Sequence, residues 1–185
     1  DRPYSVGKIR SFYGNIAVLL KAYAYILSLG FKGLKEVAEV SVLNSNYLMK
    51  KIGEIEGLFL PYDNDKPRKH ECVFSAKPLK KQTGVSALDL AKRLLDYGLH
   101  SPTIYFPLIV EEALMIEPTE TFEKEELDRY VEVLRKTCGE AYADPDVVLK
   151  APYNTAVRRL DEVKASHPKT MTLNWRMYLK KNKDV

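Results

Sequence analysis

The sequence predicts an α+β domain: a small, mostly antiparallel sheet with helices on one face, preceded by long linking helices. Three observations predict it. Two helical stretches, over residues 15–29 and 34–52, come before anything that reads as a strand. Short strand-like runs then fall in pairs, 58–62 with 71–75 and 103–106 with 113–117. The helices between and after them do not make a regular strand–helix–strand repeat, so a parallel sheet is not indicated.

Residues 15–29 are apolar almost all round, interrupted by Lys21 and Ser28, so this helix should be buried or sandwiched. Gly30 and Gly33 bracket a break. The second helix turns Leu34, Val37, Val40, Leu43 and Tyr47 inward and carries lysines in its last turn, where the helix dipole favours cations. Gly53 and Gly57 end it. A strand over 58–62 and a polar, proline-containing turn over 63–69 lead to the strand-like ECVFS of 71–75. Ser86, with Asp89 three residues later, is a variant capping box for a helix with Leu88, Ala91, Leu94 and Leu95 on its core face, and Gly98 stops it. Strands follow over 103–106 and 113–117. Pro107 between them has no N–H to give a ladder and marks a turn or an edge. Glu123, Glu125 and Glu126 open a helix on which Leu127, Val131, Leu134, Cys138 and Ala141 recur at helical spacing. Asp144-Pro145 starts a short helix, with Asp as N-cap and Pro at N1. After Pro152 the periodicity fades, which predicts a tail that wraps a partner surface or is partly disordered. The expected division is linking helices over 1–53, the small α+β domain over 54–149 and a basic tail over 150–185.

At 185 residues the chain can bury one sizeable core, and 45% apolar with 29% charged residues is the composition of an ordinary soluble protein. The longest apolar run, 16–29, is too short to cross a bilayer, so no membrane partner is expected. No signal peptide is evident, and the opening DRPYSVGKIRSFYG reads as mid-protein sequence, so a fragment is expected. Cys72 and Cys138 are far apart and form no CxxC pair; two reduced, core-packed thiols in a cytoplasmic protein are expected, without a structural metal. The net charge of +4 is uneven, because residues 150–185 carry nine Lys/Arg against three acids. A basic end could serve nucleic acid or an acidic partner. No interleaving of aromatic and basic residues suggests a base-stacking platform, so no nucleic acid is expected.

No nucleophile elbow, phosphate loop, dinucleotide fingerprint or HExxH is present, and His70-Glu71 lacks the second histidine of a zincin. The richest stretch is 97–121, where His100, Thr103, Glu111, Glu112, Glu117, Thr119 and Glu120 interleave with strand-forming apolar residues. That puts titratable groups at strand ends and turns, where chemistry is usually built. His100, after the Gly98 stop and before Pro102, is a candidate catalytic histidine at a cleft, the alternative being a histidine stabilised by a helix C-terminus. His70 is the second candidate, the alternative being a turn residue paired with Glu71. Glu117 and Glu120 could face a site, or the segment could be a strand end followed by helix capping through Thr119 or Thr121. Ser11, Tyr13, Gly14 and Asn15 precede the first helix, whose free amides could hold an anion, or they form an entry turn capped by Asn15. Arg158 and Arg159 could bind a partner or pair with Asp161 and Glu162 inside the tail.

Several blocks carry a resemblance: RSFYGN (10–15), KAYAYILSLG (21–30), VLNSNYL (42–48), His70-Glu71, VSALDLAKRLLDYGLHSPT (85–103), MIEPTET (115–121) and APYNTAVRRLDEVKA (151–165). In this order they resemble the C-terminal part of the glycine cleavage P-protein family, specifically subunit 2 of the split glycine dehydrogenase (decarboxylating). The resemblance implies the small domain of an aspartate-aminotransferase-type pyridoxal-phosphate fold. It also implies an activity in which glycine loses carbon dioxide and its aminomethyl group passes to the lipoyl group of H-protein. The implied partners are P-protein subunit 1, the H-protein, which is typically acidic in this family, and glycine. The implied cofactor-side residues are those of the 10–15 loop, and Arg158 and Arg159 would meet H-protein. The family's Asn-Leu-His-Lys cofactor motif does not occur here, so the Schiff-base lysine is not expected in this chain and the chain alone should be inactive. The rival expectation is a cofactor-free homologue that binds an acidic protein. Glu112 and Tyr153 depart from the family pattern, which has a small residue and a histidine there.

Overall fold

A computed structural model describes residues 2–8, 14–62, 66–171 and 174–181. The elements run α1 (Ile16–Ile52), β1 (Cys72–Ser75), α2 (Lys77–Thr83), α3 (Ala87–Asp96), β2 (Thr103–Ile104), β3 (Ala113–Ile116), α4 (Lys124–Ala143), α5 (Pro145–Leu149), α6 (Glu162–Ser166) and α7 (Trp175–Lys181). The sheet is fully antiparallel in the order β1-β3-β2, with Cys72 opposite Ile116 and Thr103 opposite Met115. The α+β expectation therefore holds.

The two predicted first helices form one assigned element that breaks at Gly30, whose φ of 61° and ψ of −173° suit glycine and few other residues. Asn15 caps it, accepting a hydrogen bond from the Val18 N–H. The buried face is Asn44, Ser45, Leu48, Met49 and Ile52, whereas Val40 and Leu43 of the predicted stripe are exposed. Only the last two turns of α1 enter the core. The first half lies open, with Ile16, Leu20, Tyr23 and Leu27 each at least 60% exposed. By length and composition alone α1 would also suit a bilayer, contrary to the expectation from its apolar run. An apolar helix made to pack against protein has the same composition.

Two predicted strands are corrected and one helix is added. Residues 58–62 form no strand, only a single bridge between Phe59 and Ser75. The strand predicted over 103–106 stops at Ile104, because Tyr105 takes a left-handed φ of 62° and Pro107 cannot donate. Helix α2 was not legible: KPLKKQT has one core residue, Leu79, and is started by Pro78 near its N-terminus and stopped by Gly84 at a φ of 80°. The tail also holds the short helices α6 and α7, where the sequence carries no clear period.

The remaining elements form as their caps and stripes predict. Ser86 and Asp89 make a reciprocal capping box on α3. Leu127, Val131, Leu134, Cys138 and Ala141 all bury the inner face of α4. Asp144 caps α5 by accepting from the Asp146 N–H. One core results, with Phe74 fully enclosed among side chains from α1, β1, β3, α3 and α4.

Both thiols are buried and unpaired. Burial pushes Cys72 and Cys138 each up to about 12. The unfolded thiols ionise near the ordinary cysteine value of about 8.5. The thiol contribution to stability is thus fully present below that pH and lost as pH rises toward 12. Urea midpoints measured across that window should fall, and the fall should shrink in the Cys72→Ala, Cys138→Ala double variant. An equal fall in both proteins would remove the thiols as its cause.

Candidate functional site

Residues 98–102, which follow α3, and residues 116–119, which leave β3, approach the start of α4. Between them lies an open cleft of about 490 Å³, lined mainly by apolar groups including Leu48, Ile116, Leu127 and Tyr130, with His100, Glu117, Glu126 and Arg129 among its polar residues. His100 reaches this place because Gly98, at a φ of 71°, lets the chain turn sharply out of α3. Its imidazole is exposed. Arg129 donates to the Tyr97 carbonyl at 3.1 Å and so ties α4 to the loop that carries His100. The Tyr130 hydroxyl is buried without a hydrogen-bond partner among the described residues, and burial raises its pKa.

A second cleft of about 390 Å³ lies between α1 and the same segment, lined by Ser41, Val42, His70, Glu117, Thr119 and Glu120. His70 Nε2 stands 3.5 Å from Glu117 Oε1, so its partner is Glu117 and not Glu71. Glu117, Pro118 and Thr119 line both clefts and form the ridge between them. Asn44 fixes this ridge from α1 by donating to the Thr119 carbonyl at 2.9 Å and to the Phe122 carbonyl at 3.4 Å. Tyr25 donates to Glu120 at 3.4 Å, and that carboxylate raises the exposed phenol's pKa together with desolvation, the larger cause. The cap of α4 is Glu123, in a reciprocal box with Glu126; Thr119 and Thr121 bond each other at 2.7 Å instead of capping the helix.

The two candidate histidines thus line neighbouring clefts that share one acid. Ser11 and Tyr13 lie outside the described residues, while Gly14 has a φ of 112° and the Asn15 side chain is engaged as the α1 cap. Arg158 rests over the Tyr153 ring at 5.3 Å. Arg159 points inward: its guanidinium meets Asp89 at 2.6 Å and donates to the Ala151 carbonyl at 2.7 Å, so neither Asp161 nor Glu162 is its partner. Arg129 and Tyr130 escaped the sequence reading because they flank the apolar stripe of α4, where polar residues ordinarily face water. Neither cleft is lined by a lysine, and among the described residues whose side chains are placed no lysine is buried. No group of His, Cys, Asp and Glu able to hold a metal occurs among the described residues.

These features define a small α+β domain with two open, polar-rimmed clefts. The chain belongs to the family described as glycine dehydrogenase, C-terminal domain, whose model matches residues 37–153. It is 57% identical over 177 residues to a protein of Thermococcus gammatolerans named probable glycine dehydrogenase (decarboxylating) subunit 2, covering 96% of this chain and 34% of that one. A relative of the same name from Thermotoga petrophila is 55% identical over 172 residues, covering 93% of this chain and 35% of that one. The chain spans about a third of the length of these curated relatives. Among solved structures it shares the fold of part of a glycine decarboxylase (P-protein) of the glycine cleavage system in inhibitor-bound form. That match has a TM-score of 0.57 at 24% identity, over 69% of this chain and 27% of the other.

Proposed function

We propose that this chain is the C-terminal part of a pyridoxal-phosphate-dependent glycine decarboxylase, acting in the cytoplasm with P-protein subunit 1 and lipoyl H-protein. The observation that carries the reading is the identity of 57% along 96% of the chain with a relative of that enzyme name. When bound, the cofactor supplies the electron sink that lets glycine release carbon dioxide. The residues here do not make a complete holding set for it: no lysine lines a cleft, and the clefts are open on one side. This chain's part is a wall that brings His100 and Arg129 to a mouth where a small carboxylate could be oriented, and that keeps water from an apolar floor. The exposed half of α1 would pack on the preceding part of the protein, and Gly14 and Asn15 stand where α1 would meet it. Arg158 is exposed and suits an acidic carrier protein, whereas Arg159 is occupied by Asp89 of α3.

The test joins this chain to the preceding two thirds of the Thermococcus gammatolerans relative, adds that organism's subunit 1 and H-protein, and follows exchange of labelled bicarbonate into glycine. Borohydride reduction and peptide mapping accompany it. Exchange should occur, with one reduced adduct on a lysine of the preceding segment. A well-folded assembly without exchange would sink the activity, and a stoichiometric adduct on a lysine of this chain would sink the wall.

A further inference from the structure

Residues 151–159 lie along α3 and grip it at both ends. At its C-terminal end, the Asp96 side chain is 1% exposed, and its Oδ1 accepts from the backbone N–H groups of Tyr153 at 2.5 Å and Asn154 at 2.7 Å. Its Oδ2 accepts from Arg93 at 2.9 Å, and the Asn154 amide returns a hydrogen bond to the Asp96 carbonyl at 3.1 Å. At the other end, Arg159 meets Asp89, whose second oxygen already accepts from Ser86 in the capping box. The segment therefore runs antiparallel to α3, and its two anchor points are seven residues apart, about 10 Å along the helix axis.

Aromatic and cationic groups stack beside the C-terminal anchor. Arg93 stands 4.9 Å from the Tyr97 ring and 5.5 Å from the Tyr153 ring, Lys136 4.9 Å from the Tyr97 ring and Arg158 5.3 Å from the Tyr153 ring. Glu140 completes it: Arg93 holds it bidentately, with Nε at 2.8 Å from Oε2 and Nη2 at 3.1 Å from Oε1, and Tyr97 donates to it as well. Immediately beyond this anchor the chain turns at Gly98 into the His100 loop, whose entry Arg129 holds through the Tyr97 carbonyl.

We propose that residues 151–159 form a strap that fixes the C-terminal end of α3, and through it the His100 wall of the cleft, with Asp96 as the positioning residue. A buried carboxylate that spends one oxygen on two strap N–H groups and the other on Arg93 leaves the end of α3 no freedom that the strap does not share. Whatever small molecule uses the cleft, the tail sets the placement of the histidine it meets. The inference rests on the proposed use of the cleft only for its purpose. The coupling itself is a property of this chain, and it is measured without turnover.

The experiment is backbone hydrogen exchange read by peptide mass, together with the ring signals of His100 assigned against His100→Gln, on the full chain. In Asp96→Ala, peptides over 97–102 and 150–160 should accelerate together by about tenfold while β1 and β3 stay protected, and the His100 signal should move. Asp96→Asn keeps an oxygen for the two strap N–H groups and should restore most of both effects, a rescue that generic destabilisation would not give. If Asp96→Ala does not fold, Asn154→Ala removes only an exposed side chain and should produce the same paired change at smaller amplitude. Acceleration confined to the strap, with the His100 loop and signal unchanged, overturns the proposal, and so does no change in either segment.

Discussion

Replacing Glu112 with alanine should lower the stability of this domain by about 2 kcal/mol, the cost of leaving one buried backbone donor unpaired. Glu112 is 6% exposed and sits at a φ of 52°, where a residue without special reason is rarely found. Its Oε2 accepts from the Ala87 N–H, the first donor of α3, at 2.8 Å, and its Oε1 meets Lys80 of α2 at 2.5 Å. One carboxylate thus ties the turn before β3 to the start of α3 and the last turn of α2. Lys80 can regain water when the acid is gone, so the loss falls on Ala87. Hydrogen bonding by Glu112, the leading cause, together with its charge raises the Lys80 pKa, a shift that Glu112→Ala should also reduce. Glu112→Gln keeps an acceptor for Ala87 and should recover more than half of the stability. Urea unfolding of the three proteins decides it. A loss below about 0.5 kcal/mol, within the range of an ordinary surface change, would show that the carboxylate does not hold α3.

The isolated chain should self-associate through the first half of α1. Ile16, Leu20, Tyr23 and Leu27 follow the i, i+4, i+7, i+11 spacing of a helix-pairing stripe, and Val18, Leu19 and Ile26 leave the other faces apolar too, each half or more exposed. Among residues 16–29 only Lys21 is charged. An apolar surface of this continuity does not stay in water when another copy can cover it. Sedimentation velocity over a wide concentration series should show oligomers that disappear in Leu20→Glu, Leu27→Glu, with the circular dichroism of the core domain retained. A monomer at every concentration would mean that the helix folds back on its own domain in solution.

The positions that the sequence made legible are those where a local rule suffices. The capping box at Ser86 and Asp89, the stop at Gly98, the α4 stripe and the Asp144-Pro145 start each depend on residues within one or two turns of one another. The break at Gly30 belongs with them. Helix α2 escaped because seven residues with one buried side chain carry no period, and the strand over 58–62 failed because its neighbours reach it at only one bridge. The inner face of α1 was misread for a different cause. The stripe of 34–52 runs back beyond the two turns that enter the core, so whether Val40 and Leu43 are buried is set by what packs against them and not by their spacing.

The site divides in the same way. The sequence by itself determined that this chain is an α+β domain of the glycine dehydrogenase C-terminal family and that its polar residues cluster between 97 and 121, since both follow from the order of residues along the chain. Only the tertiary structure decided that His70 faces Glu117 and not Glu71, that Arg159 locks onto Asp89 and not Asp161, and that Arg129 joins His100 at the cleft. These pairs are 47, 70 and 29 residues apart. Such partners are chosen by the closing of one core around Phe74, which places side chains in space without regard to their distance in sequence.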